Sequence, residues 1–149
     1  MSNPEETLRY FATYAGLATV KMVILGPMTA FYRLKDETFA NEEDYALSTK
    51  KDRRPVFNHP RIERIRRCNL NDLENIVPFV IIGGLFAVYS GAPLTTIIWH
   101  YRIFVGSRFL HCIAYLLPLP QPIRALCYGV GLSTNLSMAI RLLSNVWQL

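Results

Sequence analysis

Between Glu74 and Arg141 the chain carries only three charged side chains, Arg102, Arg108 and Arg124. A run so long and so apolar would leave large hydrophobic patches on the surface of a soluble domain. Charged residues are 18% of the 149 and hydrophobic ones 51%, against about 25% charged in a soluble domain. The first apolar stretch, Tyr10 to Tyr32, is broken only by Lys21, and its length suits the roughly 20 helical residues that cross a hydrocarbon core of about 30 Å. In hydrocarbon each backbone polar group must be paired within the protein, which favours uninterrupted helices. The chain therefore reads as an all-α membrane protein.

Punctuation divides it. Arg33 to about Pro60 is polar and holds Asp44 and the run Lys50 to Arg54, so it reads as the longest loop. SGAP, Ser90 to Pro93, reads as a tight turn, and PLPQP as a stiff connection that ends one helix and starts the next. Helices are expected at about 8–33, 61–90, 94–117 and 123–146. Short connections make neighbours antiparallel, giving a four-helix transmembrane bundle in one domain, residues 1–149. Pro27 predicts a kink in the first span.

The net charge is +5, and 10 of the 16 Lys and Arg residues lie between Arg33 and Arg67 among 7 of the 11 acids. Mixed charge in a loop between spans fits the positive-inside rule rather than a nucleic-acid footprint. That rule turns the first-to-second and third-to-fourth connections to the cytosol and both termini to the lumenal side. The acidic start, Met1 to Glu6, does not read as a cleavable signal peptide. The three cysteines, Cys68, Cys112 and Cys127, and the three histidines show neither disulfide-framework nor metal-ligand spacing, so no metal site is expected. Neither a P-loop nor a GxSxG elbow is present.

Charge inside a bilayer is costly and usually faces a bundle interior. Arg64, Arg67, Asn71 and Glu74 recur at helical spacing on the second helix; Arg108, His111 and Tyr115 on the third; Arg124 and Tyr128 on the fourth. These stripes would suit a small ligand rich in carboxylates and amides: arginine forks hold carboxylates, Glu74 an ammonium and Asn71 an amide. Plainer readings stand beside this one. Arg64, Arg66 and Arg67 also suit a headgroup-facing turn, Glu74 a structural ion pair, His111 a packed histidine, and Tyr115 and Tyr128 interfacial aromatics. Lys21 suits either an interhelical anchor or a snorkelling side chain.

The motifs ERIRRCNLNDLENIVPF (Glu63 to Phe79), FYRL (Phe31 to Leu34), FANEED (Phe39 to Asp44), HYRIFVGSRFLHCIAYLLPLPQP (His100 to Pro122) and IRAL (Ile123 to Leu126) resemble the MAPEG family, membrane-associated proteins in eicosanoid and glutathione metabolism. The likeness is greatest to its microsomal glutathione transferase branch. It implies a homotrimer of four-helix subunits in an endomembrane (the endoplasmic reticulum or the mitochondrial outer membrane), with glutathione as co-substrate bound between subunits near the cytosolic side. It implies glutathione contacts at Arg33, Arg67, Asn71, Glu74, His111, Tyr115, Arg124 and Tyr128. Arg124 would lie closest to the thiol with Tyr115 beside it, and Asp44 matches an aspartate proposed as catalytic in the prostaglandin E synthase branch. The implied activity conjugates the thiolate to lipophilic electrophiles and reduces lipid hydroperoxides. The alternatives are a prostaglandin E synthase-type isomerase and a non-catalytic lipid-binding member. Ala125 replaces a serine of the isomerase branch, Tyr45 a cysteine of some relatives and Asn69 a common histidine.

Overall fold

In the computed structural model, which describes residues 3–49 and 54–147, four long helices account for most of the chain: α1 Pro4–Lys35, α2 Pro60–Tyr89, α3 Leu94–Leu116 and α4 Gln121–Val146. Helix α1 starts earlier than its apolar stretch because Asn3 caps it, its Oδ1 accepting from the Glu5 amide at 3.0 Å. Glu5 and Glu6 in the first turn and Arg33 and Lys35 in the last complement the helix dipole. Prolines open α2 and α4 and also lie inside α1, at Pro27, and α2, at Pro78, where both helices continue unbroken. Helices α1 and α2, of 32 and 30 residues, are long and apolar enough to cross a membrane.

Helices α2 and α3 form the centre. Helix α1 packs against both from one flank and α4 from the other; the backbones of α1 and α4 do not approach each other closely. The Ser90 to Pro93 turn needs a left-handed residue, supplied by Gly91 at φ +61°, and Asn145 Nδ2 donates to the Tyr89 carbonyl at 2.7 Å, tying the end of α4 to that turn. His100 ties α3 to α4: its Nδ1 donates to the Thr96 carbonyl at 2.7 Å, and its Nε2 is hydrogen-bonded to the Ser137 hydroxyl at 3.0 Å.

Two apolar clusters hold the bundle. The larger stacks Phe79 on Phe104, centroids 4.0 Å apart, with Tyr101 edge-on to Phe79 and bonded through its hydroxyl to the Gly83 carbonyl at 2.8 Å. The smaller gathers Leu25, Ile65, Cys68 and Cys112, flanked by Tyr32 and Tyr115. Every helix also turns large apolar side chains outward; Val23, Ile81, Leu110 and Ile140 are each 59–65% exposed.

The loop expected to be irregular is partly ordered. A short 3₁₀ turn, Glu43–Leu47, buries Tyr45 edge-on to Phe39, and the Tyr45 hydroxyl donates to the Arg54 carbonyl at 2.7 Å. The Val56 amide reaches the Phe39 carbonyl at 2.8 Å, and Asp36 lies 3.7 Å from both His59 and Arg61. These contacts draw the end of α1 to the start of α2. The basic run Lys50 to Arg53 lies outside the described residues.

Candidate functional site

Between the two apolar clusters lies a polar layer. Lys21 of α1 and Asp72 of α2 are buried and paired, Nζ to Oδ1 at 2.6 Å, and the same ammonium donates to the Arg108 carbonyl at 3.2 Å. Lys21 is thus the interhelical anchor, not a snorkelling side chain. Arg108, fully buried, donates from Nη1 to Asn71 Oδ1 at 3.0 Å and from Nη2 to the Cys127 carbonyl at 3.2 Å. Asn75 Nδ2 donates to the Asn71 carbonyl at 2.7 Å, and Asn135 Nδ2 of α4 to the Asn75 carbonyl at 3.2 Å. All four helices meet at this level, which makes it the floor of what lies towards the α1–α2 and α3–α4 connections.

On that side two cavities share a wall. One, of ≈ 410 Å³, is lined by Asn71 and Glu74 of α2, His111 and Tyr115 of α3, and Gln121, Arg124, Ala125 and Tyr128 of α4. The second, of ≈ 350 Å³, is lined by Asn58, Pro60, Glu63, Arg64 and Arg67, and again by Tyr115 and Arg124. The Arg124 guanidinium lies 5.1 Å from the Tyr115 ring centroid, and its Nη2 donates to Gln121 Oε1 at 2.6 Å. Its Nε is buried without a hydrogen-bond partner. The His111 ring sits 5.6 Å from that of Tyr115, and its Nδ1 is likewise unpartnered.

Eight of the residues picked out in the sequence, Arg64, Arg67, Asn71, Glu74, His111, Tyr115, Arg124 and Tyr128, line these cavities. The three arginines at the start of α2 differ: Arg66 does not line the cavity and pairs with Glu63 of its wall at 2.6 Å, while Arg64 and Arg67 line it, Arg64 donating to the Tyr115 carbonyl at 3.3 Å. Glu74 makes no ion pair among the described residues. Arg33 and Asp44 are not brought to the cluster. Arg33 turns back to the Thr38 carbonyl at 3.3 Å, and Asp44 accepts from Asn41 Nδ2 at 3.2 Å within the loop. The reason is topological: α1 flanks α2 and α3 on the side away from α4. Sequence reasoning left out Gln121, and it placed Arg108 on the stripe without assigning it a task. The Lys21–Asp72 pair was signalled only by Lys21, the one charge in the first apolar stretch, with nothing in the sequence to say that it meets Asp72.

Beside the first cavity, and sharing Ala125 with it, an apolar groove of ≈ 700 Å³ runs between α3 and α4 past Trp99, Ile103, Leu126 and Val130. A polar chamber thus opens next to an apolar surface.

The family model for the MAPEG family matches residues 11–144. The chain is 48% identical over 143 residues to microsomal glutathione S-transferase 1 of Homo sapiens, covering 95% of this chain and 92% of that protein. It is 50% identical over 140 residues to microsomal glutathione S-transferase 1 of Rattus norvegicus, covering 93% and 90%. It is 33% identical over 146 residues to prostaglandin E synthase of Homo sapiens, covering 96% and 91%.

Proposed function

The chain belongs to the MAPEG family, and from that premise we propose that it is a membrane-bound glutathione transferase, acting as a homotrimer on lipophilic electrophiles and lipid hydroperoxides. The observation that carries this reading is the chamber where Arg67, Asn71, Glu74, His111, Arg124 and Tyr128 converge beside the apolar groove at Ala125. It offers cations for carboxylates, an anion for an ammonium and an amide for a peptide bond, which is the chemistry of glutathione. The groove suits a co-substrate arriving through lipid. Similarity to the glutathione transferases at about half identity over nearly the whole chain supports the same activity.

All four helices span the membrane in this reading. The outward apolar side chains on each would meet lipid or a neighbouring subunit, and their exposure argues against water. The charges of α3 do not contradict a span: Arg108 is spent inside the bundle, and Arg102 Nε donates to the Tyr14 hydroxyl at 3.0 Å. The membrane is an endomembrane, the endoplasmic reticulum first, as the microsomal relatives suggest, with the chamber facing the cytosol and the termini the lumen. The site supports a shared assembly, which the family resemblance makes a trimer. One subunit leaves Glu74 at an open rim and Arg33 outside the chamber, so α1 of a neighbouring copy would be needed to bring Arg33 to glutathione.

The reaction begins with the thiol. Its pKa is about 8.5, so only a few per cent is thiolate at neutral pH. The Arg124 guanidinium beside the sulfur favours the anion, and the Tyr115 or Tyr128 hydroxyl adds a hydrogen bond. The thiol proton passes to water. The thiolate then attacks an electrophilic carbon and expels its leaving group as an anion, or attacks a hydroperoxide oxygen and breaks the O–O bond, giving the alcohol and a glutathione sulfenic acid that a second glutathione converts to disulfide and water. An isomerase of the prostaglandin E synthase type is less well served, because Ala125 lines the chamber without a hydroxyl. Asp44, held in the loop by Asn41, would join the chemistry only if supplied by a loop movement or a neighbouring copy.

Purified protein with glutathione should turn over a chromogenic chloronitrobenzene well above the uncatalysed rate. Glutathione binding without turnover of any electrophile or hydroperoxide would point to the non-catalytic reading instead. Conversion of prostaglandin H2 to the E2 isomer as the dominant activity would point to the isomerase.

A further inference from the structure

Arg108 is the charged residue of the third-helix stripe that the proposed mechanism leaves unused. It is fully buried and makes no ion pair among the described residues, because Asp72, the buried acid of the same layer, is taken by Lys21 at 2.6 Å. A guanidinium with no ion-pair partner in direct contact is costly in a protein interior. The fold nevertheless makes room for it: a Cβ at Gly131 of α4 would stand 3.2 Å from Arg108 Nε and 3.0 Å from Ser107 Oγ. The side chain therefore passes between α3 and α4 where α4 has no side chain, and ends on Asn71.

That ending determines the chemistry Asn71 can offer. A guanidinium has donors and no acceptor, so the atom 3.0 Å from Arg108 Nη1 must be the amide oxygen of Asn71, whichever way an isolated amide would turn. The opposite side of the planar amide, Nδ2, has no protein partner among the described residues, and Asn71 lines the chamber. From this geometry we infer that Arg108 is a positioning residue which locks Asn71 as a hydrogen-bond donor to the chamber, so that Asn71 selects a carbonyl or carboxylate oxygen of the bound thiol peptide and disfavours an N–H there. The lock is held from behind. Lys21 Nζ fixes the Arg108 carbonyl at 3.2 Å, and Asn75 Nδ2 fixes the Asn71 carbonyl at 2.7 Å. Both ends of the contact are thus restrained by the backbone.

This inference rests on the glutathione reading, and the test separates the two. Glutathione affinity is measured by titration calorimetry in detergent for wild type, Arg108→Met, Asn71→Ala and the double variant, with thermal unfolding of each as the control. If Arg108 acts through Asn71, each single change weakens binding about tenfold and the double change also about tenfold, because the second removes nothing further. The kinetic counterpart is a raised KM for glutathione with kcat at saturating glutathione nearly unchanged. Arg108→Lys, which keeps a charged donor, should recover part of the affinity. A double variant weakened about a hundredfold would mean independent, structural effects and would overturn the inference while leaving the transferase reading intact. No glutathione binding by the wild-type protein would overturn the reading itself, and the inference with it. Should Arg108→Met fail to fold, Asn71→Asp keeps the Arg108 contact yet turns an acceptor to the chamber. Weaker binding than Asn71→Ala is then expected, and wild-type affinity would overturn the donor assignment.

Discussion

Replacing Arg124 by leucine removes the cation that the proposed mechanism sets beside the sulfur while keeping comparable bulk at the start of α4. Its guanidinium is fixed by Gln121 at 2.6 Å and by the Tyr115 ring at 5.1 Å, and its buried Nε has no partner. The charge is therefore held in place and partly shielded from water. A unit charge about 6 Å from the sulfur at an effective dielectric of about 20 is worth about 2.8 kcal/mol, or about two pKa units. Lowering the bound thiol from about 8.5 to about 6.5 raises the thiolate fraction at pH 7 from about 3% to about 76%. Arg124→Leu should then cost about 25-fold in thiolate. The more basic sulfur is the better nucleophile, by about eightfold over two units, so the net loss of rate at pH 7 lies between about threefold and about 25-fold. The sign with pH follows: the wild-type rate is already near its plateau at pH 7, whereas the variant gains as pH rises through about 8.5. Thiolate ultraviolet absorbance against pH, with both proteins saturated with glutathione, is the direct assay. Superimposable titrations would refute the assignment and move attention to the Tyr115 hydroxyl.

Glu74→Gln removes the anion at the rim and should weaken glutathione binding about tenfold with the fold intact; unchanged affinity in calorimetry would exclude Glu74 as the ammonium partner. Asp72→Asn leaves Lys21 buried without its counter-charge and should destabilise the bundle by about 3–5 kcal/mol, read as a large drop in thermal unfolding temperature in detergent. Replacing both partners, Lys21→Met with Asp72→Leu, should restore most of that loss, and no restoration would mean that the pair is not what the single change broke. Native mass spectrometry in mild detergent should show a trimer; an active monomer would contradict a chamber completed by a neighbouring α1.

Much of the chamber was legible in the sequence because helical periodicity is local. Residues three and four apart share a face whatever the rest of the chain does, so Asn71 with Glu74, His111 with Tyr115, and Arg124 with Tyr128 could be grouped before any helix was placed, and the cavities are lined by those groups. The same spacing put Arg108 with His111 and Tyr115. It could not show that the longer side chain would pass behind the others to Asn71, since that depends on Gly131 of another helix.

What the sequence determined by itself was therefore the helical architecture and the chemistry on each helix face. Apolar runs bounded by proline, glycine and charge define helices through interactions between near neighbours. What only the tertiary structure decided was which faces meet. Lys21 finds Asp72 across 51 positions, and Arg108 finds Asn71 across 37. Tyr45 turns inward to organise the loop, while Arg33 and Asp44 stay away from the chamber despite the motifs that carry them. The rotation and neighbours of a helix are set by side-chain packing over its whole length, and in this bundle that packing puts α1 and α4 on opposite sides of α2 and α3.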